Sequence, residues 1–388
     1  MDLATFEWLT SSAGAEALER AQELVVEHGD SLQVGELLRR DLTADQAAAT
    51  LTQVELRARA VDKFGDLASS MFFTRDGLEQ ATRMPVARHR AARIALAAPG
   101  SVLDLGCGIG GDLIALAGAG LTVAGVDLDP LRVAIAQANL AALGLPGAVA
   151  VRDGTELDLA GFGVVFADPA RRSAKGRVFS PDDYTPPWSF VTTLLEQTAC
   201  VKVAPGISHD LVPAGVEAEW VSDQGDLKEA TLWSGMLSTT TRRATVIQRG
   251  GLATLTDEDD SGAEVRPVGT HLYEPDDAVI RAGLVTAVAG IVGGGLIDEQ
   301  IAYVTADSLT VTPFARAYEV LETLPYREKQ LRAALRERGI GTLTIKKRGV
   351  SVVPEQLRRR LALQGPNEAT LVLTRAAGEG VALLVAVS

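Results

Sequence analysis

Four acids stand at or just past the ends of short aliphatic runs: Asp104 after Val102-Leu103, Asp127 after Val123-Ala-Gly-Val126, Asp153 after Ala148–Arg152, and Asp168 after Val164-Val-Phe-Ala167. The first acid opens a glycine-rich loop, Asp104-Leu-Gly-Cys-Gly-Ile-Gly110. Gly106, Gly108 and Gly110 let the backbone turn tightly and approach a ligand closely, at the positive end of the helix that Asp112-Leu-Ile-Ala-Leu-Ala117 predicts. Such a loop is a cradle for a small-molecule cofactor. Gly106, Gly108 and Gly111 also satisfy the G-x-G-x-x-G pattern of dinucleotide-binding folds, so the loop alone does not select its ligand.

The acids separate the two readings. Asp104 stands two residues before the first glycine, where a nicotinamide fingerprint carries an apolar residue, and a carboxylate there suits the amino group of a methionine moiety. Asp127, 21 residues after Gly106 and followed by Leu128, closes the next strand in position to accept both ribose hydroxyls. Asp129-Pro130 then caps the following helix. Asp153 and Gly154 come just past the third strand, in reach of an adenine amino group, and Asp168-Pro169 ends the fourth at the carboxyl edge where open α/β sheets bind ligands. In order, spacing and acid placement this series resembles motifs I to IV of the class I S-adenosylmethionine-dependent methyltransferases. The resemblance implies S-adenosyl-L-methionine as cofactor, with Asp104, Gly106, Gly108, Gly110, Asp127, Leu128, Asp153, Gly154 and Asp168 around it.

Methyl transfer requires a nucleophile aligned behind the electrophilic methyl group, so orientation supplies much of the acceleration. The resemblance places Asp168, Pro169 and Arg171 at that step. In amino-methylating relatives an Asn/Asp-Pro-Pro-aromatic motif accepts hydrogen bonds from the target amine, while its ring stacks on the base. Here the residues are Asp168-Pro-Ala-Arg-Arg172, without the second proline and the ring, which leaves the acceptor atom open. Phe73 or Phe72, Tyr184 and Trp188 are candidates for the missing stacking surface, or else pack their own loop. Arg171 and Arg172 suit a substrate phosphate or nearby acids. A C5-pyrimidine mechanism would need a cysteine nucleophile at the edge of strand four or five. Cys107 lies inside the cofactor loop and Cys200 begins a strand, so a thiol mechanism is not expected.

The elements that must position these groups fall into three segments. Residues 1–97 are rich in Ala, Leu, Glu and Arg, carry a capping box at Thr43-Ala-Asp-Gln46, and read as a helical domain. Residues 98–255 alternate short aliphatic runs with helical stretches, which predicts an α/β fold with a Rossmann-like seven-stranded core. The strands are expected at Ser101–Leu105, Thr122–Asp127, Ala148–Arg152, Val164–Ala167, Cys200–Val203, Glu217–Val221 and Ala244–Gln248. The acidic stretch Asp257–Gly262 marks a boundary. Residues 264–388 read as an α+β domain, helical in its first half, with strands at Thr342–Ile345, Ala369–Thr374 and Val381–Val387.

Composition narrows the partners. With 47% hydrophobic and 22% charged residues the chain is ordinary globular material. Two cysteines and four scattered histidines rule out a disulfide framework and make a zinc site improbable, so no metal is expected. The first thirty residues carry no basic stretch followed by an apolar one, and the longest apolar run, Ala282–Ile297, has 16 residues against the roughly 20 of a membrane span. A cytoplasmic protein is the expectation. The net charge of −13 opposes indiscriminate polyanion binding, yet residues 326–360 hold eleven basic against three acidic side chains.

Beyond the core, the chain resembles bacterial methyltransferases that carry a C-terminal THUMP-like domain. The points of similarity are Phe73-Thr-Arg75 through Arg88-His-Arg-Ala-Ala-Arg93, Asp168-Pro-Ala-Arg171, Lys202-Val-Ala-Pro-Gly206, Leu272-Tyr-Glu-Pro275, Ile345-Lys-Lys-Arg-Gly349 and Leu357-Arg-Arg-Arg-Leu361. By analogy with THUMP-bearing enzymes the resemblance implies tRNA or rRNA as substrate, with Lys346, Lys347 and Arg348 gripping phosphates. The alternatives are a small-molecule methyltransferase and a non-catalytic RNA-binding protein that has kept a cofactor fold.

Overall fold

The computed structural model describes residues 1–29, 31–171 and 184–388. The chain divides into two compact units, Met1–Val216 with Thr231–Thr239, and Glu217–Ala230 with Thr240–Ser388.

The first unit opens with helices α1 (Leu3–Leu9), α2 (Ser12–His28), α3 (Ser31–Leu38), α4 (Ala44–Phe64), α5 (Arg75–Gln80) and α6 (Met84–Leu96). The expected capping box starts α4: Gln46 N donates to Thr43 Oγ1 at 3.3 Å, and Thr43 N donates to Gln46 Oε1 at 3.0 Å. An α/β part follows, with β1 (Ser101–Leu105), α7 (Gly111–Gly118), β2 (Thr122–Asp127), α8 (Pro130–Ala142), β3 (Ala148–Val151), β4 (Val164–Ala167), the short pair β5 (Ala170–Arg171) and β6 (Tyr184–Thr185), α9 (Trp188–Leu194) and β7 (Ala199–Val203). Strands run parallel in the order β7-β4-β1-β2-β3. Their direction follows from the helical crossovers, which bury the central strands on both faces. The order reverses between β1 and β4, and such a switch point opens a crevice at the carboxyl ends of the two strands. Asp104 to Gly106 and Asp168 stand there.

The N-terminal helices and this Rossmann-like sheet share one hydrophobic core. Phe6, Leu56, Phe64, Met71 and Phe73 pack in the same cluster as Val102, Ile114, Leu116 and Phe166.

The second unit contains β8 (Glu217–Asp223), the first part of β9 (Asp226–Trp233), β10 (Arg242–Gln248) and β11 (Gly251–Thr256), with β10 parallel to β8 and antiparallel to β11. Then come β12 (His271–Pro275), α10 (Asp277–Ala282), α11 (Val285–Val292), β13 (Gly295–Leu296), β14 (Val304–Ala306), β15 (Ala315–Leu324), α12 (Glu328–Glu337), β16 (Ile340–Lys347), α13 (Pro354–Leu361), β17 (Asn367–Ala376) and β18 (Glu379–Val387). Strands β12 to β18 form one sheet in the order β13-β14-β12-β15-β18-β17-β16. Leu331, Leu335, Leu357 and Leu361 of α12 and α13 pack with Leu343 and Leu371 in one cluster, while Leu272, Tyr303, Tyr318 and Val372 form another.

Two expectations are corrected. The first half of the C-terminal segment is not helical throughout, because β12, β14 and β15 lie in it beside α10 and α11. Short apolar runs do not distinguish strand from helix by period, and β15 further hides its period with an irregularity between Val320 and Glu322. That extra residue sends Tyr318 and Leu324 to different clusters, although they are an even number of residues apart. Strand β9 was also missed, because Asp226, Lys228 and Glu229 break its apolar pattern. Among the described residues, no helix is long and apolar enough to cross a membrane.

Candidate active site

Strand register sets the site. Asp104 pairs across β1 and β4 with Phe166, which pairs in turn with Cys200 on β7. Side chains in one row share a face, and so do residues two apart along a strand, which puts Asp168 and Lys202 on the face of Asp104. Lys202 Nζ donates to Asp168 Oδ2 at 2.6 Å.

The loop after β1 is held by its backbone: Gly106 N and Cys107 N both donate to Val126 O, at 2.8 and 3.0 Å. Gly106 and Gly108 have φ of +80° and +54°, and a Cβ on either would meet nothing within 4 Å. Open space therefore lies over both residues. Asp127 braces the loop, its Oδ2 accepting from Gly108 N at 3.0 Å and its Oδ1 from Asp129 N at 2.9 Å. Beside it Leu128 is 67% exposed, an apolar surface at the carboxyl edge. Asp153 Oδ1 accepts from Thr155 Oγ1 and N at 2.7 and 2.9 Å, and these bonds hold its carboxyl below the usual range. They also start the turn at Gly154.

Asp104 is the unsatisfied member. It is 2% exposed, and its Oδ2 has no hydrogen-bond partner. Burial, followed by the charges of Asp112 and Asp168, pushes its pKa well above that of an ordinary carboxyl. A buried carboxylate oxygen without a donor is costly, and a cationic group beside it removes the cost. An orphan acceptor, open space above two glycines, a braced carboxylate and an uncovered leucine fit a ligand with an ammonium, a ribose and an aromatic base.

The N-terminal helices build the wall behind this loop. Asn139 of α8 is buried; its Oδ1 accepts from Phe72 N at 2.7 Å, and its Nδ2 donates to Phe72 O at 3.1 Å and Ile109 O at 2.9 Å. Gln53 of α4 clasps the next residue in the same way, donating to Phe73 O and accepting from Phe73 N at 2.6 and 2.9 Å. On α5, a Cβ at Gly77 would lie 2.5 Å from Ile109 Cγ2, so only glycine permits this approach.

A polar chain missed by the sequence reading continues from Lys202. Its Nζ lies 3.2 Å from Thr82 Oγ1, which donates to Asp112 Oδ2 at 3.1 Å. Asp112 is ion-paired with Arg90, whose guanidinium lies 4.7 Å from the Phe166 ring centroid. Lys202 and Arg90 fell within stretches of family resemblance, but no local spacing links them to Asp168.

Several expected residues are placed differently. Phe73 is fully buried, 5.5 Å from the Phe64 ring, and has no face for a base. Tyr184 is buried too, accepting from Ala204 N at 2.9 Å with its ring edge-on to Trp188, which stays half-buried. Pro169 is buried, Arg171 lies on β5 paired with Tyr184, and Arg172 lies outside the described residues. Cys107 and Cys200 are both buried; burial, then Asp104 and Asp127, push the Cys107 thiol far up, which disfavours a thiolate there. Among the described residues, no group of three or more His, Cys, Asp or Glu side chains is arranged to hold a metal.

In the second unit, the triplet Lys346-Lys347-Arg348 does not act as one patch, because consecutive strand residues point to opposite faces. Lys346 Nζ sits 2.5 Å from Glu274 Oε2 and 5.5 Å from the Tyr318 ring, and Arg348 lies 4.0 Å from Glu274 and 5.3 Å from the Tyr303 ring. Of the three, Lys347 is the exposed one.

Comparison with known proteins agrees with this arrangement. A methyltransferase domain family matches residues 102–171, a THUMP domain-like family residues 315–386, and a family of unknown function residues 2–60. A crystal structure from Porphyromonas gingivalis W83, assigned as a methyltransferase, superposes with a TM-score of 0.74 at 23% identity, covering 96% of this chain and 98% of that one, and so shares the fold. Uncharacterised S-adenosylmethionine-dependent methyltransferases from two Mycobacterium tuberculosis strains are 39% identical over 343 residues, which is 85% of this chain and 93% of theirs. The chain therefore belongs to the class I S-adenosylmethionine-dependent methyltransferases, with S-adenosylmethionine as its cofactor and a THUMP-like domain at its C-terminal end.

Proposed function

We propose that the enzyme methylates a base of tRNA or rRNA in the cytoplasm. The observation that carries this reading is the THUMP domain-like match over residues 315–386, a module associated with RNA-modifying enzymes. Exposed cations on it, Lys347, Arg358 and Arg359, support phosphate contact. Residues 1–97 serve as the wall of the site, 98–255 as the cofactor-binding core and 264–388 as the module that holds RNA.

In this reading Asp104 receives the cofactor's ammonium and Asp127 its ribose hydroxyls. Leu128 and Asp153 with Gly154 border the adenine. Gly106, Gly108 and Gly110 let the backbone pass close beneath. When bound, S-adenosylmethionine supplies an electrophilic methyl group. Asp168, partly exposed beside the switch point, orients the acceptor, and the half-buried ring of Trp188 supplies a stacking surface.

The direct test is transfer of labelled methyl to unmodified total RNA. Asp168→Ala is expected to lower the rate about 100-fold, the usual cost of losing alignment at a reacting centre. Absence of RNA-dependent transfer by the wild type sinks the proposal. Replacing Lys347, Arg358 and Arg359 with alanine is expected to flatten the salt dependence of RNA binding, by about 0.9 in the log–log slope per lost duplex-phosphate contact. Lys346→Ala, by contrast, should chiefly lower stability, since Lys346 already pairs with Glu274. Binding isotherms at several salt concentrations and urea melts separate the two effects.

A further inference from the structure

We propose that Lys202 is a positioning residue for the transfer step, fixing the Asp168 carboxylate in one orientation, with Thr82 and Asp112 holding Lys202 in turn. The proposal rests on the reading of Asp168 as the carboxylate that faces the acceptor. Nothing in the local sequence around Asp168 requires a lysine, and the pairing arises only because β4 and β7 are neighbours in the sheet.

Three features distinguish this lysine from an ordinary surface partner. The Lys202 side chain is only 18% exposed, whereas Asp168 is 36% exposed, so the acid is open to a substrate while its cation is held behind it. Lys202 reaches Asp168 Oδ2 at 2.6 Å, leaving Oδ1 for another donor. Its second contact, Thr82 Oγ1 at 3.2 Å, gives the hydroxyl proton to Asp112, which is tied to the buried Arg90. The ammonium is thus tied through Thr82 to Asp112 of α7. Pro169 adds backbone restriction, since a residue before proline is confined to extended conformations.

The charges around the pair show why a fixed cation is needed. The charge of Asp168 is among those that raise the Asp104 pKa, so the two carboxylates repel. Lys202 gives the Asp168 carboxylate an attractive partner against that repulsion. Lys63 of α4 also faces Lys202, and burial, then Lys202 and Arg83, lower the Lys63 pKa. Lys63 Nζ is itself engaged by three carbonyls, Leu78, Glu79 and Ala81, at 2.9, 2.6 and 2.8 Å.

The test uses the full-length enzyme with Lys202→Met, Lys202→Arg and Asp168→Asn, and reads three quantities. Carbon NMR of protein labelled at aspartate carboxyls, with the Asp168 signal assigned by its loss in Asp168→Asn, follows its ionisation against pH. Calorimetry gives the S-adenosylmethionine Kd, and methyl transfer to unmodified total RNA gives kcat and KM. Lys202→Met is expected to raise the pH at which Asp168 ionises and to lower kcat about 100-fold. The cofactor Kd should stay within about threefold, and Lys202→Arg should restore ionisation and part of kcat. Unchanged Asp168 ionisation in Lys202→Met overturns the proposal whatever the substrate. So does a loss of cofactor affinity as large as the loss of kcat, which would mark a structural role. If the wild type transfers nothing to RNA, the RNA assignment fails by itself, and the NMR titration still decides the role of Lys202.

Discussion

Asp104→Asn is expected to stabilise the cofactor-free protein while weakening its hold on S-adenosylmethionine by about 10- to 150-fold. The two effects have opposite signs because one atom causes both. Oδ2 of Asp104 is buried without a partner, so an ionised Asp104 is a cost to the empty fold. A neutral amide lowers that cost by on the order of 1 kcal/mol, but forfeits a charge-assisted contact worth about 1.5–3 kcal/mol to a bound ammonium. The pH dependence carries the same signature. Asp104 has a folded-state pKa above its unfolded value of 3.8, so the native state holds the extra proton. Its contribution is fully present below that unfolded value and is lost as pH rises towards the folded value. Stability of the empty wild-type enzyme should fall across this window, and the Asn variant should flatten the fall. Thermal melts from pH 4 to 8, with and without cofactor, together with calorimetric Kd values, test both signs. A less stable empty variant, or an unchanged Kd, contradicts the assignment.

Asn139→Ala should be the most damaging single polar substitution in the first unit. It strips partners from Phe72 N and Phe72 O at a part-buried site and from Ile109 O at a buried one. Each unsatisfied buried group costs about 1–3 kcal/mol, with the two part-buried ones at the lower end, so a loss of roughly 3–5 kcal/mol is expected from a total that is typically only about 5–15. Because one of the three bonds ends on the cofactor loop, S-adenosylmethionine affinity should drop in the fraction that remains folded. Asn139→Asp keeps the acceptor for Phe72 N and loses both donors, so it should fall between wild type and Ala only if its charge is tolerated. Urea midpoints and cofactor titrations provide the check, and a loss under about 1 kcal/mol would mean that other groups satisfy the freed backbone.

What could be read in the sequence was what is local in it. The strand, glycine turn and helix around Asp104 to Ala117 are contiguous, and β1, β2 and β4 begin and end where their aliphatic runs do. The acid series was visible because each member closes its own strand. Thr82, Arg90, Asp112 and Lys202 were not, since their association depends on which strands and helices become neighbours. Lys202 is 34 residues from Asp168 and 120 from Thr82. The basic residues 346–348 adjoin in sequence, yet a strand separates what a linear reading joins. Phe73 has the ring that stacking needs, and its burial decides against that role.

The core shared by the N-terminal helices and the sheet bears on how such a chain evolves. Phe64, the last residue of α4, has its ring 3.5 Å from where a Cβ of Gly111 would stand, at the first residue of α7. Drift in the helices is therefore felt at the cofactor loop, and the two stretches are constrained to change together. A borrowed methyltransferase core could not simply be grafted behind these helices, and a gene fragment starting after residue 97 would encode a sheet with an uncovered apolar face.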